Sequence, residues 1–175
     1  MWKGSLAILV ALWVSAAAID GRAQARLNDG QILALFDEAN TADIWTARLA
    51  MSNSQSSAVR QLATMVINDH EAVQHMAREL TKKLKLTAAP PADDQSVDAL
   101  ATAIKELRTK AGGEFDRAYI AHELAFHRSA IDAVRKTLLP AAQNPELKAL
   151  LTKVLGGFEH HLAETQTVAN TLGVR

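Results

Sequence analysis

Three histidines and one aspartate stand where a helical core should be apolar. His70, His127 and His161 each fall midway along the apolar stripe of a separate amphipathic segment, and Asp43 takes the corresponding place in a fourth. Imidazole nitrogens and carboxylates are the donors that bind one divalent transition ion such as zinc, iron, copper or nickel. Buried without partners, these groups cost free energy, so they must bond to one another, to water or to a metal. Glu123, one helical turn before His127, is a further candidate ligand.

The same residues could form a purely structural network. Asp43 would then accept from His70, while Tyr119 or Glu123 pairs with His127 or His161. Such a network fixes helix register and titrates in the neutral range. A di-iron site is disfavoured: Ile67, Leu124 and Phe158 stand three residues before the histidines, so no Glu-x-x-His occurs. No nucleophile elbow, phosphate loop or zincin motif is present. Glu123 or Asp116 could serve acid–base catalysis, but no second group at a defined spacing supports it. His75 and His122 are expected to face solvent, and His160 and Glu164 lie off the stripe of His161. Trp45 is expected to pack. Asp69, next to His70, is expected either to bond a neighbouring helix or to be exposed.

Helices must position these groups. Asn28 with Gln31 three residues on forms a capping-box pattern, opening a helix to about Met51. Its inward stripe is Leu33, Phe36, Asn40, Asp43, Ala47 and Ala50, stepping by three and four. The cluster Ser52–Ser56 breaks it, and a second helix runs from Ser57 to about Leu86. Pro90-Pro91 interrupts the pattern, and a shorter helix covers Ser96 to about Lys110, ended by Gly112-Gly113. A fourth runs from Glu114 to about Leu139. Pro140 and Asn144-Pro145 bound the last loop, and a final helix extends to about Leu172.

Counting from the turns tests whether the polar groups meet. With a turn near residue 55, Asp43 and His70 differ in depth by roughly 5 Å, at about 1.5 Å rise per residue. With a turn near residue 142, His127 and His161 differ by roughly 6 Å. Each hairpin can therefore join its own pair. Whether the two hairpins share a level depends on their docking.

Whole-chain properties narrow the function classes. At 175 residues the chain suits one domain with a single core. Equal numbers of basic and acidic residues, 19 each, leave no electrostatic footprint for nucleic acid. The absence of cysteine excludes disulfides, thiolate ligands, thiol catalysis and a lipidated cysteine.

Lys3 followed by the apolar run Leu6–Val14 and a small-residue end has the form of a secretory signal. The run is too short for a span of about 20 apolar residues. Cleavage after Ala25 is expected, with Ala18 the alternative. This divides the chain into a leader, 1–25, and a mature domain, 26–175, exported to a periplasm and without a stable membrane span.

Several blocks carry a resemblance. Leu62-Ala63-Thr64-Met65-Val66-Ile67-Asn68-Asp69-His70 resembles the "fA..Mi.DH" signature of the domain-of-unknown-function 4142 proteins. Phe115-Asp116-Arg117-Ala118-Tyr119, with His127 eight residues later, looks like their "FD..Y…H" block. His161-Leu162 matches the closing "HL" element. The resemblance implies an exported bacterial protein grouped with ferritin-like bundles. It carries over Asp43, Asp69, His70, Asp116, Tyr119, His127 and His161, and supplies no activity. Asp43 is shorter than the Glu often found there, and His122 and Glu123 lie outside the pattern.

The expectation is an all-α, ferritin-like antiparallel four-helix bundle with one additional shorter helix. Its polar centre of Asp43, His70, His127 and His161 is structural or binds a single metal ion. A non-enzymatic, stress-related envelope protein is favoured over a metal-dependent redox or hydrolytic enzyme. A third class is a helical module that binds another copy of the chain or an envelope partner, signalled by an apolar patch near Trp45 or residues 96–110.

Overall fold

The computed structural model describes residues 27–174, and every regular element among them is helical. The elements are α1 (Asp29–Asn53), α2 (Ser57–Lys83), α3 (Ser96–Arg108) and α4 (Gly112–Ala133). A π-helical turn (Val134–Leu138), the short α5 (Leu139–Ala141) and α6 (Pro145–Leu172) follow. The leader and its cleavage sites lie outside the described residues. No described helix is long and apolar enough to cross a membrane.

Local chemistry sets the ends. Asn28 Oδ1 accepts from the Gln31 amide at 2.9 Å, and Gln31 Oε1 accepts from the Asn28 amide at 3.1 Å, completing the capping box. Ser56 opens α2 by accepting from the Val59 amide. Asn144 accepts from the amides of Glu146 and Leu147, with Pro145 in the first helical position. Helix α2 stops at Lys83, three residues short of the expected Leu86, and Lys85 adopts a positive φ of 54°.

Two expectations for the fourth helix are corrected. Gly112-Gly113 begins α4 instead of ending α3, which closes at Arg108. Gly112 holds φ at +53°, a conformation open to glycine for want of a Cβ, and turns the chain into α4. The helix also fails to run unbroken to Leu139. Its last turns widen into π geometry just before Pro140, which brings no amide hydrogen and crowds the preceding turn. Pro140 thus lies in α5, and the loop to α6 is residues 142–144.

Helix α1 packs along α2, α2 along α6, α6 along α4, and α4 along α1; α3 lies against α1 and α4. Two apolar clusters divide the interior. One is centred on Ile32, Phe36, Phe126, Leu147, Leu151 and Phe158, the other on Val59, Leu62, Phe115, Tyr119, Ile120 and Leu124. Burying such a side chain contributes about 1.5–3 kcal/mol. An exposed ion pair such as Arg48–Glu71 contributes at most about 1 kcal/mol, so the apolar clusters dominate.

Backbone contacts lock the end near α1's start. Asp29 accepts from the amides of Gln143 and Asn144 at 2.7 and 2.9 Å. A Cβ on Gly30 would lie 2.5 Å from the Thr87 carbonyl oxygen, so glycine is what lets the α2–α3 connection cross there.

Candidate metal centre

Asp43, His70, Glu123, His127 and His161 are all buried. They come from α1, α2, α4 and α6, the four longest helices. His70 Nε2 lies 3.2 Å from His161 Nδ1, and His127 Nε2 lies 3.3 Å from that same nitrogen. Asp43 Oδ2 stands 3.0 Å from His70 Nε2 and 3.5 Å from His127 Nε2. Four donor atoms therefore converge from four helices.

The surroundings orient two of the rings. His127 Nδ1 lies 3.1 Å from the backbone carbonyl of Glu123, which can only accept, so Nδ1 carries the hydrogen. His161 Nε2 lies 2.9 Å from Asp69 Oδ2 and donates to it. In their neutral forms, both rings then present bare lone pairs to each other, from His127 Nε2 and His161 Nδ1. Phe158 stacks on His70, with centroids 5.3 Å apart and planes 10° from parallel. Phe126 meets His127 edge-on at 5.6 Å.

Burial favours the uncharged forms. It pushes the His127 imidazole down to about 3, with the neighbouring His161 adding to the effect. His70 is held well below the usual range by burial and by His127 and His161. Burial also lowers His161, partly opposed by its bond to Asp69. Asp43 is raised to about 7 by burial. Glu123 is raised well above its usual range by burial and then by the Asp43 charge. Tyr119 is raised by burial and by the Glu123 and Asp43 charges.

The polar atoms outnumber their partners. Neither Asp43 oxygen has a donor in hydrogen-bonding geometry, despite the 3.0 Å approach of His70. Both Glu123 carboxyl oxygens, the Tyr119 hydroxyl and His70 Nδ1 likewise lack a well-aligned hydrogen bond, although the Glu123 carboxyl lies against Asp43, Tyr119 and Thr46. Two overlapping sets each have ligand atoms within 4.8 Å of one another: His70, His127 and His161, and Asp43, Glu123 and His127. The four residues singled out from the stripes are thus brought together, with Glu123 beside them. Asp116 is buried but belongs to neither set.

The profile of the family described as "Domain of unknown function (DUF4142)" matches residues 14–168. The chain belongs to this family. No curated protein and no solved structure matches it. For this DUF4142 protein, the resemblance in the Asp69-His70 and His127 blocks is therefore supported over nearly the whole chain.

Two expectations about side chains are corrected. His122 does not face solvent; it is 3% exposed, because α4 packs against α3 as well as against α1 and α6. One inward stripe accounts for only part of that contact. Trp45 is not packed: it is 51% exposed, with the Arg48 guanidinium 5.6 Å from its ring centroid. Val97 is the other large apolar side chain exposed among the described residues. Asp69 satisfies both expectations, bonding α6 while its side chain is 56% exposed. Thr165 lies on the inward stripe of α6 and is buried as that stripe predicts, whereas Thr46 is buried off the α1 stripe; both return their hydroxyls to carbonyls of their own helices.

Proposed function

We propose that this is an exported protein with a ferritin-like, antiparallel four-helix bundle whose centre binds one divalent transition-metal ion through His70, His127, His161 and Asp43. The observation that carries the reading is the pair of imidazole lone pairs facing each other across 3.3 Å, His127 Nε2 and His161 Nδ1. Nitrogens so placed repel unless a proton or a cation lies between them. The four neighbouring separations of 3.0–3.5 Å lie near the donor–donor spacing of about 3.3 Å that adjacent ligands take around an ion with bonds of about 2.0–2.1 Å. A bound cation would act as a Lewis acid holding four donors from four helices together. Asp69 and the Glu123 carbonyl keep His161 and His127 in the tautomers such binding needs.

Four protein donors, all buried, favour a closed site that stabilises or stores over one that turns over substrate. Glu123 acts here as a protonated neighbour of Asp43, with its backbone oxygen fixing His127. The competing reading is a metal-free proton network, favoured by the raised Asp43. Elemental analysis of protein purified from its native compartment, without chelator or tag, separates the two. About one equivalent of metal, lost in His70→Ala and retained in Glu123→Gln, supports the centre. Metal-free protein with unchanged zinc-free and zinc-treated melting would overturn it. The same preparation tests export: a mature N-terminus at Arg26 in the periplasmic fraction is expected.

A further inference from the structure

A second feature lies beyond the metal reading and does not depend on it. A cavity of about 850 Å³ opens between α1, α3, the connection before α3, and α4. Ligand pockets for small molecules run from about 300 to 1,000 Å³. Its buried side is apolar, formed by Phe36, Phe126, Ala130, Val134 and Phe158. Phe126 and Phe158, which pack on His127, form the wall towards the polar centre.

Two polar features break that lining. His122, 3% exposed, lines the cavity with its Nδ1 unpartnered. At the outer side stand Glu38, Asp93 and Asp94. Ser96 Oγ lies 2.7 Å from both Glu38 Oε2 and Asp94 Oδ2, so two carboxyls compete for one hydroxyl hydrogen. Among the described residues, no lysine or arginine forms an ion pair with these three acids. Lys136, also on the lining, is paired with Asp132. The three acids at the mouth therefore have no cation paired to them; the Ser96 amide, 3.2 Å from Asp94 Oδ2, and its shared hydroxyl are neutral donors.

We infer that this cavity binds a cationic amphiphile, an apolar body carrying one amine head. The body fills the phenylalanine-lined interior beside His122. The ammonium reaches Glu38 and Asp94, supplying the positive charge that the neutral Ser96 donors lack. An anionic amphiphile such as a fatty acid would place like charge against the mouth.

The test uses protein purified from its native compartment and the neutral fluorescent probe N-phenyl-1-naphthylamine. Saturable binding of one probe per chain is expected. Dodecylammonium should displace it at a concentration at least about tenfold lower than dodecanoate, a difference of about 1.4 kcal/mol. In the Glu38→Gln, Asp94→Asn double variant that preference should collapse towards parity. Ala99→Trp and Ala133→Phe, which fill the cavity from α3 and α4, should each weaken the probe at least about tenfold while melting as wild type. If one does not fold, the other and the charge variant still decide. Absence of saturable probe binding would overturn the inference, as would dodecanoate competing equally well or folded, filled variants binding normally.

Discussion

Asp69 and His161 meet across α2 and α6, with Asp69 Oδ2 2.9 Å from His161 Nε2. The next residue on α2, His70, approaches the other nitrogen of the same ring at 3.2 Å. Consecutive residues of one helix thus grip both edges of an imidazole on another. That grip sets the tautomer of His161 and the direction of its lone pair.

Removing the outer half of the grip should affect binding more than folding. Asp69→Ala is expected to lower zinc affinity by about 10–100-fold, the usual effect of losing a carboxylate behind a ligating histidine. Because Asp69 is 56% exposed, its melting temperature without metal should change little. Competition titration against a zinc chelator gives the affinity. Unchanged affinity would mean that Asp69 does not orient a ligand.

Loss of a central ring should affect both. His127→Ala leaves Asp43 and His161 facing an emptied, buried space. A fall of at least about 1 kcal/mol in metal-free unfolding free energy is expected. Urea denaturation measures it, and a variant as stable as wild type would contradict a tightly coupled centre.

The metal-free protein should weaken in mild acid. Burial holds His70, His122, His127 and His161 below the ordinary 6.5. As pH falls below 6.5, the unfolded chain takes up protons that the folded one refuses. Their contribution is complete above pH 6.5 and is lost as pH falls towards about 4 for His122 and about 3 for His127. Asp43 and Glu123 work in the opposite sense, because their folded forms hold protons longer; the Asp43 contribution declines from 3.8 up to about 7. Four lowered histidines outnumber three raised carboxyls, Asp43, Glu123 and the part-exposed Glu38. The urea midpoint should therefore be lower at pH 5 than at pH 6.5, and the reverse order would show that the carboxyls dominate.

A backbone contact far from the centre offers a sharper mechanical test. Gly30→Ala drives a methyl group to 2.5 Å from the Thr87 carbonyl oxygen. Overpacking of this kind costs about 1–3 kcal/mol. The melting temperature should fall, whereas Gly156→Ala, with nothing within 4 Å of the added carbon, should not lower it. Equal effects at both positions would mean that the α2–α3 connection yields freely.

Much of the fold was legible in the chain. Three- and four-residue stripes, Asn28 with Gln31, the Ser52–Ser56 break, and Asn144 before Pro145 each act within a turn or two, so the helices and two of their caps follow from local sequence. Turns near residues 55 and 142 put Asp43 within about one helical turn of His70, and His127 within about one of His161. Tertiary packing decided the rest. Which level one hairpin takes against the other is set by contacts between residues far apart in sequence, and only this brings His70 to His161, 91 positions away. The burial of His122 likewise depends on α3 crossing α4, and the bond from Asp69 depends on how α2 is rotated against α6. Helix periodicity is a property of neighbours along the chain, whereas docking is a property of surfaces that meet only after folding.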